Sequence, residues 1–140
     1  MCPFTHASFL ALGSAVAASF IFGFLWYGPL FGKTWAGLMG IKMTGECKKP
    51  EAWRLLVTVF GTSLTTLGLA FLLHRGMPHH SSYKIAALAW LSFYVPLMLG
   101  SVTWENRPWA LFGFNALYSF LNLQLITAIL MWGRCPVCAV

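Results

Sequence analysis

Cys135-Pro136-Val137-Cys138 has the spacing of a dithiol that cycles through a disulfide. His6, His74, His79, His80 and Cys2 are donors of the kind that bind zinc or copper. Both readings meet a plainer one. The cysteine pair sits at the C-terminal tail without a βαβ context, and the histidines occupy polar segments where they need no special explanation. We therefore expect no metal site and no cofactor, with Cys135 and Cys138 as the one candidate redox pair. The acidic residues Glu46, Glu51 and Glu105 all lie between apolar runs, whereas ion-coupled transport needs an ionisable group within one. There is no Ser-His-Asp set, phosphate-cradling loop or paired carboxylate.

Two further constellations are polar without being reactive. Asn115, Ser119 and Asn122 recur at helical spacing, with Tyr118 beside them, as they would to bond a neighbouring helix or to line a cavity. Lys33, Arg54, Glu105 and Arg107 border apolar runs on what topology makes one surface. There Glu105 would pair with a basic neighbour, and the surplus positive charge would receive an anionic headgroup, phosphate or carboxylate.

The elements that position these residues follow from composition. Of 140 residues, 59% are hydrophobic and 9% charged, against about 25% charged in a soluble domain. Charge is absent from residues 1–32, 55–74, 85–104 and 108–133. At ~1.5 Å per residue, about 20 helical residues cross a hydrocarbon core, and each run reaches that length. The runs are apolar nearly all round, unlike the amphipathic helices of a soluble bundle. The expected fold is all-α, a single-domain integral membrane four-helix bundle with helices near 8–27, 54–73, 85–104 and 109–132. Residues 1–6 carry no Lys or Arg and the first apolar run is long, so it reads as a retained helix and not a cleaved signal peptide.

Residues 105–108 join the third and fourth helices, which makes them antiparallel neighbours, with Pro108 suited to a first helical turn. Phe31, Trp35, Leu38 and Met39 predict a short interfacial helix between the first two spans, which Gly37 and Gly40 weaken. Ala7, Ala11, Ala15, Ser19 and Gly23 give the first helix a smooth stripe. Thr58, Thr62 and Thr66 form a row on the second, and Ser92, Pro96 and Gly100 one on the third, where Pro96 should kink it. Such rows would also serve self-association into a homo-oligomer.

Lys33, Lys42, Lys48, Lys49, Arg54 and Arg107 fall on one face, and Arg75, Lys84 and Arg134 on the other. The positive-inside rule puts the richer face in the cytoplasm and both termini outside, in the inner membrane. Trp26, Tyr27, Trp35, Trp53, Trp104 and Trp109 fall on that same face, as headgroup-level rings would. The net charge of +6 thus reads as topology and lipid contact, with the bilayer and its anionic headgroups as partners and no nucleic acid.

The stretch Trp26-Tyr27-Gly28-Pro29-Leu30-Phe31-Gly32-Lys33-Thr34-Trp35, followed by Leu38-Met39-Gly40, is distinctive. So is Gly100-Ser101-Val102-Thr103-Trp104-Glu105-Asn106-Arg107-Pro108-Trp109, running on through Leu111-Phe112 to Asn115, Ala116 and Tyr118. With the helices around them, they resemble the domain of unknown function 1761 family of small four-helix bacterial membrane proteins, over roughly residues 9–132. The resemblance implies fold and location and no activity. The reading is of a non-enzymatic accessory or lipid-contacting membrane protein, with a thiol–disulfide oxidoreductase using the CxxC pair and a small carrier as alternatives. The predicted orientation places Cys47 alone inside and Cys2, Cys135 and Cys138 outside. A membrane-impermeant maleimide applied to intact cells should leave Cys47 unmodified and react with it only after the cytoplasmic side is opened.

Overall fold

The computed structural model describes residues 6–40, 52–73 and 79–133. In chain order they form α1 (His6–Leu25), a kinked segment (Trp26–Leu30), α2 (Gly32–Leu38), α3 (Ala52–Leu73), α4 (His79–Ala89), a widened π-helical turn (Trp90–Tyr94), α5 (Val95–Thr103) and α6 (Trp109–Trp132). There is no strand among the described residues. Four helical stretches are long and apolar enough to cross a membrane: Phe9–Leu30, Leu55–Leu73, Ser81–Thr103 and Trp109–Trp132.

The fourth predicted helix matches α6 at both ends, and α2 is present where a short helix was expected. Gly37 lies inside α2 without breaking it, while Gly40, at φ 69°, takes the left-handed conformation in which a helix ends. The predicted third helix begins earlier than expected, at His79. Its kink takes a particular form. Pro96 has no N–H to give Ser92, and the turn before it widens so that the Val95 N–H donates to the Trp90 carbonyl. Pro29 sits within a sharper break, where Gly28 leaves helical geometry at φ −102° and ψ −107° and the Phe31 N–H donates to the Trp26 carbonyl at 3.1 Å. Pro108 stands one residue before α6, extended at φ −64° and ψ 142°, and its carbonyl accepts from Leu111 and Phe112 at 2.9 and 3.3 Å. It caps the helix and does not form its first turn. Asn106 reverses the chain there with φ 53°, a conformation asparagine tolerates better than most residues.

The bundle is built around α6. Its buried residues Ala116, Ser119, Leu123, Ile126, Thr127, Leu130 and Met131 look toward several neighbours at once. α1 runs antiparallel to it, and the small stripe makes the contact: Ala11, Ala15 and Ser19 are buried. At either end of that contact, Gly23 faces the Tyr118 hydroxyl and Gly133 faces Ala11. The main core joins Ala15 of α1, Leu69 and Leu73 of α3, Ala86 of α4, and Leu123, Ile126, Leu130 and Met131 of α6. The outside is the reverse of a soluble protein, with Leu97 80% exposed, Phe93 72% and Phe60 71%, whereas Ala15, Thr66 and Ser82 are fully buried.

The other expected rows are used differently. Ser92 and Pro96 are exposed, so the third-helix row points outward. The threonine row of α3 bonds chiefly to its own backbone: Thr62 donates to the Thr58 carbonyl at 2.9 Å and Thr66 to that of Thr62 at 2.8 Å. If the α1 stripe sets the approach to α6, Ala15→Leu should lower the unfolding free energy by about 1–3 kcal/mol through overpacking. Gly13→Leu, which meets nothing within 4 Å, should change it little. Reversible unfolding in mixed micelles measures both.

Candidate functional site

At the end of the bundle where α1 gives way to α2, ring contacts replace small-residue contacts. Trp26 is buried, with ring centroids 4.7 Å from Phe31, 5.5 Å from Phe114, 5.6 Å from Phe22 and 6.0 Å from Tyr118. Tyr27 lies edge-on to Tyr118 at 4.8 Å and to Trp35 of α2 at 5.7 Å. Phe22 stacks on Tyr118 at 5.5 Å with an interplanar angle of 10°. The Tyr27 hydroxyl donates to Asn115 Oδ1 at 3.0 Å. α2 is thereby tied to the first turns of α6, and Gly32 permits the junction: a Cβ there would lie 2.7 Å from the Tyr27 carbonyl oxygen.

Trp26 was expected among headgroup-level rings, and the structure corrects this. It continues the stripe Ala11, Ala15, Ser19 and Phe22 onto α6, a helical register that outweighs its place near the end of the apolar run. Its indole Nε1 is buried without a hydrogen-bond partner. Trp53, Trp104 and Trp109 do face outward, at 59%, 88% and 66% exposure.

The polar residues of α6 divide between two seams. Asn115 and Asn122 face α1, where the Ser19 hydroxyl donates to Asn122 Oδ1 at 2.7 Å. Tyr118 fills the space over Gly23. Ser119 turns to the other neighbour: Trp90 Nε1 donates to its hydroxyl oxygen at 3.0 Å and to the Ala116 carbonyl at 3.1 Å. Asn115, Ser119 and Asn122 thus each bond a different helix element, and no shared cavity joins them among the described residues. A groove of about 290 Å³ does open between α1 and α3, but it is apolar, lined by Leu12, Gly13, Val16, Ser63, Thr66 and Leu67, and lies away from these groups.

Glu105 pairs with Arg107 in the turn before α6, Nε to Oε2 at 3.5 Å, with both side chains well exposed. Such a pair contributes little. Lys33 is exposed on α2. Arg54 lies in the first turns of α3, which runs antiparallel to α1 and so begins at the same end of the bundle; its side chain is outside the description. Cys2, Cys47, His74, Cys135 and Cys138 lie outside the described residues, as do the side chains of His6, His79 and His80. Among the described residues no cluster of metal-binding groups occurs.

The family model described as "Protein of unknown function (DUF1761)" matches residues 10–131. The chain belongs to this family. In DUF1761 terms, the matched region takes in the α1–α6 seam, the ring cluster and the 104–108 turn, and ends just before the cysteine tail. No curated protein and no solved structure matches the chain. What the ring cluster and seams do physically is lock helices together through aromatic contacts and hydrogen bonds, with no Lys, Arg, Asp or Glu among the residues that make them. Trp90→Phe, which keeps a ring and deletes the donor shared by Ala116 and Ser119, should cost about 0.6–1.7 kcal/mol of stability. Trp104→Phe, on an exposed ring, should cost much less. Steric-trap unfolding of the two variants reads the difference.

Proposed function

We propose that this DUF1761 protein is a non-enzymatic, lipid-contacting protein of the inner membrane, crossing it four times with both termini outside. The observation that carries the bilayer reading is the exposure pattern: large aliphatic and aromatic side chains such as Leu97, Phe93 and Phe60 cover the outside, while Ser19, Thr66, Ser82 and Thr127 are buried among the apolar residues inside. Ser19, Tyr27, Thr66 and Trp90 find hydrogen-bond partners on a neighbouring helix or on their own backbone, as hydrocarbon surroundings favour.

The headgroup part of the reading rests on one end of the bundle. Lys33 on α2, Arg54 at the start of α3 and Arg107 before α6 share that end with the outward-facing Trp104 and Trp109. Glu105 offsets one of these charges at most, so net positive charge is left at headgroup level beside rings that fix its depth. The apolar groove between α1 and α3 supplies a surface for acyl chains.

The test is native mass spectrometry of the purified protein with phosphatidylglycerol and phosphatidylcholine. Lys33→Ala with Arg107→Ala should lower retained phosphatidylglycerol by about thirtyfold, since each basic residue near an anionic surface contributes about 1 kcal/mol. Phosphatidylcholine retention should not change. Equal loss of both lipids, or no loss of either, refutes a headgroup site.

A further inference from the structure

The first and third spans are each interrupted beside a proline, at Trp26–Leu30 around Pro29 and at Trp90–Tyr94 just before Pro96. Trp26-Tyr27-Gly28-Pro29-Leu30 and Phe93-Tyr94-Val95-Pro96-Leu97 share an aromatic-Tyr-x-Pro-Leu pattern at a constant offset of 67 residues. Beyond it Gly32, Thr34 and Trp35 correspond in order to Gly100, Thr103 and Trp104, with two single-residue insertions. Before it the same offset carries Ala15 onto Ser82 and Ser19 onto Ala86. All four of these small residues are buried, at 0–2% exposure. Sequence pattern and burial therefore repeat together, each in the first span of a helical hairpin (α1 with α3, then α4–α5 with α6), and in both the helix is interrupted beside the proline, at Gly28 in one copy and in the turn before Pro96 in the other.

We propose that the chain is a tandem pair of one such hairpin, and that the repeated Tyr-x-Pro-Leu element is in each copy a hinge latched to the other copy by its tyrosine. The latches cross. Tyr27 of the first hairpin donates to Asn115 on α6 of the second at 3.0 Å, and Tyr94 of the second donates to Thr65 on α3 of the first at 3.4 Å. Each proline removes the N–H that would bond the carbonyl four residues back, Leu25 in one copy and Ser92 in the other. The helical ladder is weakest there, at the start of the segments beyond, α2 and α5. Helices bend at prolines and widened turns, and paired Gly/Pro interruptions in two repeats mark functional places in membrane proteins of this construction. The swing of α5 is the smaller, because residues 104–108 bind it to α6: the Arg107 N–H donates to the Ser101 carbonyl at 3.2 Å.

The hinge takes its medium from the bilayer reading and is independent of the headgroup site. Hydrogen–deuterium exchange of the full chain in phosphatidylglycerol–phosphatidylcholine nanodiscs tests it. Tyr27→Phe keeps the ring and removes the latch, so amides of residues 31–38 should exchange about threefold faster, the worth of an average interhelical hydrogen bond in a membrane protein. Tyr94→Phe should act in the same direction, and less, on residues 97–103. Pro29→Ala and Pro96→Ala restore a backbone donor and should slow exchange in the same two segments. Both tyrosine variants leaving those segments unchanged overturns the hinge, and so does faster exchange spread evenly through α6. If an alanine variant does not fold, the tyrosine variants decide alone. Failure to enter nanodiscs would sink the bilayer reading, whereas entry with unaltered exchange sinks only the hinge.

Discussion

The close approach of α1 to α6 is the contact on which the other helices depend, and it exists because one stripe of α1 has almost no side chains. Ala11, Ala15 and Ser19 let the helices meet along their length, with Gly23 receiving Tyr118 and Gly133 lying against Ala11. In hydrocarbon, apolar side chains gain nothing by leaving their surroundings, so dispersion between closely fitted surfaces and a few hydrogen bonds must hold helices together. Larger residues on the stripe would separate α1 from α6. They would also move Tyr27 from Asn115 and Ser19 from Asn122, the polar contacts that set the helices' register.

The interior handles polarity by distributing it. Hydroxyls on α3 return to carbonyls of their own helix, the amides of α6 take hydroxyls from α1, and Trp90 reaches α6 from the other side. Among the described residues three buried atoms stand apart: Trp26 Nε1, Ser82 Oγ and Gln124 Oε1 have no hydrogen-bond partner. Two of these lie in the first and third spans, Trp26 within the first interruption and Ser82 in α4 before the second. Rigidity is therefore concentrated in α6 and its seams, while the ends of the first and third spans are more loosely bonded.

Much of this fold was legible in the sequence because charge-free runs of about 20 residues have few alternatives. α6 could be placed at both ends, since Pro108 and Gly133 bracket it. The smooth stripe of α1 was legible because a four-residue repeat of small residues has one helical meaning. The direction of Trp26 was missed for an instructive reason: position near the end of an apolar run suggests a headgroup-level ring, while helical register suggests burial, and register decided. The α5–α6 side was harder still. Ser119 lies between two seams, and which neighbour it bonds depends on where Trp90 is carried by a wide turn that no composition rule specifies. The charged end shows the remaining limit, because proximity follows from topology whereas a binding geometry does not.

The central place of α6 has a consequence for how the protein is made. A ribosome delivers α1, α3 and α4–α5 before α6, so the helix on which the others close emerges after all of them. Until then the Ser19 and Tyr27 hydroxyls and the Trp90 indole have no α6 to bond, and the α1 stripe has no matching surface. The early helices would have to wait side by side as separately inserted spans. The short 104–108 turn then brings α6 in beside α5 as one hairpin, and assembly becomes a single late event. A chain cut short before α6 would display the whole set of unpaired contacts at once, a clear mark for membrane quality control.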